Sequence, residues 1–152
     1  IVLDLRDNPG GLLNVAVDVA SLFLTEGTIV SYSRKNDSEV VLESTKKKSD
    51  SAPMTVLINR STASAAEVIA GALQDRNRAV ILGEKSYGKG TVQEIIDLTG
   101  GSKLEITIGK YRTPSGKVID QVGIAPDLLV PENDSINKAL LVLSGLSAIT
   151  TK

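Results

Sequence analysis

Residues 54–82 have the sequence MTVLINRSTASAAEVIAGALQDRNRAVIL, and their pattern predicts the fold class. It begins with an apolar run, Met54–Ile58, that predicts a buried strand. After a polar turn, residues 65–74 carry apolar side chains at helical spacing, which predicts an amphipathic helix. The next apolar run, Ala79–Leu82, predicts a second strand. A strand, a helix and a strand in this order predict a layered α/β fold with parallel pairing.

The flanking segments extend this pattern. Ile1–Leu5 predicts a buried strand, and the helix after it should turn inward Leu12, Val15, Ala16, Val19, Leu22 and Phe23, which recur at three- and four-residue spacing. Two hairpins are expected, one from residues 28–34 and 39–44 around a turn at 35–38, the other from residues 91–98 and 103–111. We also expect a final amphipathic helix at residues 135–149 and assign the lysines at 46–48 to a solvated loop.

Composition restricts the chemistry that this chain can perform. Its 152 residues are sufficient for one domain, 1–152, and 17 basic against 18 acidic side chains give no reason to expect a nucleic-acid partner. The chain has no His and no Cys. Disulfides, thiol nucleophiles, imidazole bases and thiolate or imidazole metal sites are therefore excluded within it. A hydrolase would need a Ser or Thr nucleophile with a Lys or a carboxylate as base.

The start of the chain, its longest apolar stretch and its lack of Cys bear on where the protein is found in the cell. The chain starts at Ile1 without an initiator Met, and we expect it to be a piece of a longer polypeptide. Residues 12–24 form the longest apolar stretch, but it contains Asn14 and Asp18 and is too short to cross a bilayer. The absence of Cys does not distinguish an oxidising compartment from the cytosol.

Three turns rich in Gly or Ser follow predicted strands, where α/β folds place their sites. One of them, GEKSYGKG at residues 83–90, is one residue away from the phosphate-binding loop G-x-x-x-x-G-K-[ST]. Gly90 stands where that loop needs a hydroxyl, and the alternating residues 91–97 predict a strand where it needs a helix. Nucleotide binding is therefore a disfavoured alternative.

The second turn places Ser64 and Glu67 at the start of the predicted helix. A capping box is the simplest interpretation: Ser64 caps the first-turn amides while Glu67 reaches back to the Ser64 amide. The same geometry suits a nucleophile, because unpaired amides at a helix N-terminus can stabilise an oxyanion. Ser64 alone leaves both interpretations open.

Four ordered motifs together resemble the carboxy-terminal processing peptidases, also called tail-specific proteases. They are DLRDNPGG at 4–11, NRSTASAAE at 59–67, GEKSYGKGTVQ at 83–93 and YRTPSG at 111–116. The resemblance implies an α/β, crotonase-like (ClpP/crotonase-type) layered core with additional β-hairpins. It implies that Ser64 is the nucleophile, Lys89 the general base and Gln93 a partner that holds the Lys89 side chain by a hydrogen bond.

The resemblance also implies an oxyanion hole and the surroundings of the reaction. The oxyanion donors would be the amide of Ala65 and that of Gly10 or Gly11, with no metal and no cofactor. The substrate would be a polypeptide cut near its C-terminus. The other partners would be a PDZ domain upstream in the same polypeptide and a possible second protomer. The location would be extracytoplasmic: a bacterial periplasm or cell envelope, or a plastid lumen.

A lysine base must be kept uncharged. With an ordinary pKa of about 10.4, only about one lysine in 2,500 is neutral at pH 7. Burial in an apolar pocket lowers the pKa of a lysine by about 3 to 5. We therefore expect Gly88 and Gly90 to let the backbone fold tightly and tuck Lys89 under apolar side chains.

This chain departs from the family pattern in two respects, and one rival interpretation of its function stays open. Gln121 stands where the family usually has Gly in I-Q-G-x-G-I, which puts the local turn in doubt. The 152 residues do not include the PDZ domain and the amino-terminal helical part of the family, which we expect in the rest of the polypeptide. The rival is a non-catalytic binding or scaffold module of the same fold, and it predicts that Lys89 is exposed and distant from Ser64. Arg6 is expected to be a structural ion-pair partner.

Overall fold

The computed structural model describes residues 1–34, 39–45 and 51–150. The turn at 35–38 and the lysines at 46–48 lie outside the described residues. The helices are α1 (Leu13–Ser21), α2 (Ala65–Asp75) and α3 (Ser135–Thr150), with a 3-10 turn at Glu132–Asp134. The strands are β1 (Val2–Asp4), β2 (Thr28–Arg34), β3 (Glu39–Glu43), β4 (Thr55–Ile58), β5 (Val80–Gly83), β6 (Thr91–Asp97), β7 (Lys103–Arg112) and β8 (Leu128–Leu129).

The strands form one parallel and one antiparallel sheet. The parallel sheet has the order β1-β4-β5-β8, and α2 connects β4 to β5. The antiparallel sheet has the order β3-β2-β7-β6 and contains both predicted hairpins. The layered α/β fold with additional hairpins is therefore confirmed. The sequence did not predict β8, because two residues carry too little periodicity to be recognised.

The core is centred on β4 and α2. All four residues of β4 are buried, as a central strand of a parallel sheet requires, and most of α2 is buried as well. The expected burial of the first strand is wrong. β1 lies at the sheet edge with Val2 exposed, and only Leu5, just after it, is fully buried.

The core-facing side of α1 differs from the prediction. Its buried residues are Ala16, Val17, Ala20 and Ser21, whereas Leu12 is 69%, Val15 49% and Leu22 51% exposed. The small side chains explain the difference, because alanine lets α1 approach α2 closely. Apolar side chains that were expected in the core therefore lie on the surface.

The final helix, α3, packs through few residues. Ser135 and Ala139 are fully buried, whereas Ile136, Leu140 and Leu141 are about half exposed or more. A search of the described residues finds no helix with the length and apolar character needed to cross a bilayer.

Candidate active site

Three loops meet at the carboxyl edge of the parallel sheet, as predicted. They are residues 5–11 after β1, 59–64 after β4 and 84–90 after β5. The Ala63 amide donates to the Asn8 carbonyl at 3.0 Å, and the Tyr87 amide donates to the Thr62 carbonyl at 2.9 Å. The buried Thr62 hydroxyl donates to the Leu5 carbonyl at 2.8 Å. The middle loop is therefore tied to both of its neighbours.

Ser64 immediately precedes α2 and has a strained backbone. Its φ is 54° and its ψ is −121°, a combination that non-glycine residues rarely adopt. Such conformations cost about 1 to 3 kcal/mol and cluster at functional sites. The predicted capping box is present, and the Ser64 amide donates to Glu67 Oε2 at 2.8 Å. A cap by itself does not require a positive φ, so the strain points to a further role.

Gly10 packs directly against the serine turn. A Cβ on Gly10 would lie 2.8 Å from the Ser64 Cβ and 3.0 Å from the Ala65 nitrogen, and its φ is +108°. Only glycine fits this close approach. The Gly10 amide donates to Asn8 Oδ1 at 2.9 Å. Within the described part of the chain, the amides of Gly11 and Ala65 have no protein acceptor.

Glu67 connects the serine turn to the third loop. Its side chain is fully buried, and its two oxygens accept four hydrogen bonds. The donors are the amides of Ser64, Gly88 and Lys89 and the hydroxyl of Ser86, at 2.8, 2.6, 2.9 and 2.5 Å. The Ser64 and Lys89 nitrogens share Oε2, so they lie at most about 6 Å apart.

Lys89 does not lie in an apolar pocket, and the expectation of its burial is wrong. Burial alternates along the loop: Ser86, Gly88 and Gly90 are buried, while Tyr87 and Lys89 are exposed. The glycines pack against the segment at 119–123, and this directs the lysine outward. No hydrogen bond or ion pair of the Lys89 ammonium is found among the described residues.

Gln93 is also exposed, four residues further along in β6. An irregularity in the pairing of β6 with β7 falls between Val92 and Gln93. Such a bulge re-aims side chains, so simple alternation from Lys89 does not fix where Gln93 points. The hydrogen bond between Lys89 and Gln93 stays a prediction.

An apolar groove of about 200 Å³ lies beside Ser64. Its wall includes Leu12 and Val15 of the first turn and helix, together with Ala65 and Ile69 of α2. Gly10 and Gly11 form its edge. The surface position of Leu12 and Val15, unexpected for core residues, thus places apolar side chains next to the candidate nucleophile.

The fourth motif supports the far end of α2 and does not reach Ser64. The Asp75 carboxylate accepts the Ser115 amide at 3.0 Å, the Ser115 hydroxyl at 2.6 Å and the Lys117 ammonium at 3.0 Å. Burial raises the pKa of Asp75, but the hydrogen bonds from Ser115, Thr113 and Lys117 outweigh it and hold the pKa below its usual value. YRTPSG is therefore a structural motif in this chain.

Gln121 adopts the left-handed conformation expected of the glycine that it replaces. Its φ is +60°, and its amide donates to the Gly88 carbonyl at 2.8 Å. The turn is thus kept at a cost in backbone strain. It also supports the loop that carries Lys89.

Arg6 has the predicted structural role. Its guanidinium pairs with Asp4, with 2.6 Å between Nη2 and Oδ2, and donates to the Ser135 hydroxyl at 3.0 Å. The hydrogen bond from Arg6 lowers the pKa of Asp4 despite partial desolvation. These contacts attach the first loop to the start of α3.

Sequence reasoning assigned no individual role to three residues that hold the loops together. Asn8 orders its own turn, Thr62 joins β1 to β4, and the Ser86 hydroxyl links Glu67 to the Ile124 amide. Asn8 stands before Pro9 and Gly10, which is a turn signal. Thr62 and Ser86 carry no local signal, because their partners are distant in sequence.

A strained serine that begins a helix at the carboxyl edge of a parallel sheet defines a class of α/β protein that includes serine hydrolases. Comparison with known families matches residues 1–130 to the family described as peptidase family S41. The chain belongs to this family.

Several relatives of known name are similar to this chain. It is 42% identical over 131 residues to a carboxyl-terminal-processing protease of Synechocystis sp., covering 86% of this chain and 31% of that relative. It is 44% identical over 142 residues to chloroplastic carboxyl-terminal-processing peptidase 1 of Arabidopsis thaliana, covering 91% and 29%. The chain thus spans about a third of the relatives' length.

Solved structures agree with this assignment. The photosystem II D1 C-terminal processing protease is 40% identical, with a TM-score of 0.79 over 86% of this chain and 34% of that one. A lipoprotein from Streptococcus agalactiae has a TM-score of 0.81 over 95% of this chain and 54% of its own, at 22% identity. The second likeness concerns the fold alone.

Proposed function

We propose that this chain carries the catalytic residues of a serine endopeptidase that cleaves polypeptides near their C-terminus. Ser64 would be the nucleophile and Lys89 the general base. The observation that carries the proposal is the pairing of a strained Ser64 with a loop that Glu67 holds within reach of it. The names of the relatives, which are processing proteases, support the type of reaction and of substrate.

The chemistry follows the usual order for acyl transfer. Neutral Lys89 would take the Ser64 proton as the hydroxyl oxygen attacks the peptide carbonyl, and the resulting ammonium would protonate the leaving amine. Water would then release the acyl group, and Ser64 would regain its proton. Gln93 would orient the Lys89 side chain.

The oxyanion donors in this proposal are the amides of Ala65 and Gly11. Both lack a protein acceptor within the described part of the chain, whereas the Gly10 amide already donates to Asn8. Gly10 would serve by its size, because it lets the first loop approach Ser64. The groove beside Ser64 would hold an apolar side chain of the substrate.

The exposure of Lys89 is what the non-catalytic alternative predicts, and it requires an explanation. A base needs a free electron pair, so the exposed Lys89 side chain must be shielded from water before it can accept the Ser64 proton. We propose that the bound polypeptide covers Lys89 and excludes water from it. The Glu67 carboxylate joins the backbone amides of Ser64 and Lys89, and this closeness of the two backbones supports the catalytic interpretation, because the alternative predicts that Lys89 is distant from Ser64.

The organisation and location of the protein belong to the same proposal. We propose one catalytic core domain at residues 1–152, an upstream PDZ domain that presents the substrate, and a possible second protomer. An extracytoplasmic location is proposed, in a bacterial periplasm or cell envelope or a plastid lumen. The chloroplastic relatives support the plastid alternative.

The test is cleavage of an unfolded protein by the whole protein, comparing the original sequence with Ser64→Ala and Lys89→Ala. Both variants should lose nearly all turnover while still binding the substrate. Retained cleavage in Lys89→Ala would refute the proposed base, and retained cleavage in both variants would support the non-catalytic alternative for this site.

A further inference from the structure

We propose that Glu67 is a positioning residue, which holds the Ser64 turn and the Lys89 loop in one fixed arrangement through its buried carboxylate. The inference rests on the proposed function, because the two elements matter together only if Ser64 and Lys89 act together. Its carboxylate contacts three backbone amides and the Ser86 hydroxyl, so it acts on Ser64 and Lys89 through the backbone that carries them.

All four partners of Glu67 are donors. Oε2 accepts from the Ser64 and Lys89 amides, and Oε1 accepts from the Gly88 amide and the Ser86 hydroxyl. Only an ionised carboxylate offers two oxygens that accept without donating. The carboxyl group is fully buried, and the four hydrogen bonds replace the water that it gave up on folding.

A helix cap explains only one of these four contacts. The capping box requires the Ser64 amide, whereas Ser86, Gly88 and Lys89 lie 19 to 22 residues further along the chain. The same loop is also held by a second segment: the Gln121 amide donates to the Gly88 carbonyl, and the Ile124 amide donates to the Ser86 hydroxyl. Glu67 and the segment at 121–124 therefore together hold the loop that carries the proposed base.

Conservative substitutions should fail for geometric reasons. Glutamine has one oxygen and one NH₂ group. If the glutamine oxygen takes the place of Oε2, the glutamine NH₂ group faces the Gly88 amide. In the reverse orientation, the NH₂ group faces the amides of Ser64 and Lys89. In both cases a donor faces a donor. Aspartate is shorter by one methylene and cannot reach both sides at distances of 2.5 to 2.9 Å.

The test compares Glu67→Gln with Asp75→Asn in the whole protein. Asp75 is a matched control, because it is a largely buried carboxylate on the same helix that also accepts several hydrogen bonds, but at the far end. The readouts are kcat and KM on an unfolded protein and hydrogen exchange of the amides at 86–89. We expect Glu67→Gln to lower kcat about 100-fold, because a shift of about 1 Å between the Ser64 turn and the Lys89 loop has an effect of this size. KM should stay within about threefold of its value in the original protein.

Amide exchange at 86–89 should rise in Glu67→Gln, while exchange in the middle of α2 stays slow. Asp75→Asn should leave both kcat and the exchange at 86–89 unchanged. The inference is overturned if Glu67→Gln keeps kcat within about threefold, or if Asp75→Asn lowers kcat as much.

If Glu67→Gln does not fold, Ser86→Ala replaces it; this variant removes one donor to Glu67, together with the acceptor of the Ile124 amide, and leaves the carboxylate in place. It should lower kcat by about three- to tenfold and raise exchange at the Gly88 and Lys89 amides, and unchanged values overturn the inference. Failure of the proposed function is seen separately, as retained cleavage by Ser64→Ala and Lys89→Ala.

Discussion

The strain at Ser64 makes a prediction that depends on the backbone and not on the hydroxyl. Glycine adopts a positive φ at no steric cost, whereas alanine does not. At φ 54° and ψ −121°, Ser64→Ala retains a strain of about 1 to 3 kcal/mol that Ser64→Gly releases. Glycine loses about 0.5 to 1 kcal/mol through its greater freedom in the unfolded chain. From the middle of each range, Ser64→Gly should therefore be more stable than Ser64→Ala by about 1 kcal/mol.

The assay is urea unfolding of both variants followed by circular dichroism, with cleavage measured in parallel. Both variants lack the hydroxyl, so both should be inactive while their unfolding midpoints differ. Ser135 provides the matched control, because it also begins a helix but has φ −62°. At that position glycine should be less stable than alanine by about 0.5 to 1 kcal/mol. Equal stability of the two Ser64 variants, or a more stable Ser64→Ala, would refute the strain argument.

Three further predictions concern the surroundings of the site. Gly10→Ala places a methyl group 2.8 Å from the Ser64 Cβ and should lower kcat/KM at least about 100-fold, whereas Gly145→Ala, which meets no neighbour, should not. Asp75→Asn should lower the free energy of unfolding by about 1.5 to 3 kcal/mol at pH 7. The pKa of Asp75 is lower in the folded than in the unfolded protein, so this loss of stability should be present above about pH 4 and become smaller below it. Urea unfolding of both proteins at pH 7, 5 and 3 measures the loss. A loss that does not change with pH would contradict this prediction. Gln121→Gly should stabilise the fold by up to about 1 kcal/mol in the same assay, and a loss of stability would show that φ +60° is not strained there.

The sequence predicted the parallel sheet because its strands and α2 are marked by local periodicity. Residues 54–83 alternate between an apolar run, an amphipathic helix and a second apolar run, and each signal is complete within the segment. The positions of Ser64 and Gly10 near one another followed from the same topology, because turns after parallel strands share one edge.

The errors have a common physical cause, since they depend on contacts between distant segments. Leu12 and Val15 have the spacing of a core face, but the buried face of α1 is the adjacent one, which contains Ala16 and Ala20. Lys89 was expected to be buried, but the packing of Gly88 and Gly90 on residues 119–123 directs it outward. Neither choice is encoded in the local pattern.

The Glu67 network was only partly visible for the same reason. The spacing of Ser64 and Glu67 predicts a capping box, and the box is present. The three hydrogen bonds from residues 86–89 require a loop whose place is set by the whole sheet. A local motif thus identified the residue but not the larger part of its role.

Activation of Ser64 by Lys89 is tested most directly by the rate at which a fluorophosphonate labels Ser64. Labelling is followed by mass spectrometry in the original protein and in Lys89→Arg, with an unstructured polypeptide present as substrate. Arginine keeps the charge but cannot deprotonate, so labelling of Ser64 should slow by about 100-fold or more. Equal labelling in the two proteins, or labelling at another serine, would contradict the assignment of Ser64 and Lys89 as a catalytic pair.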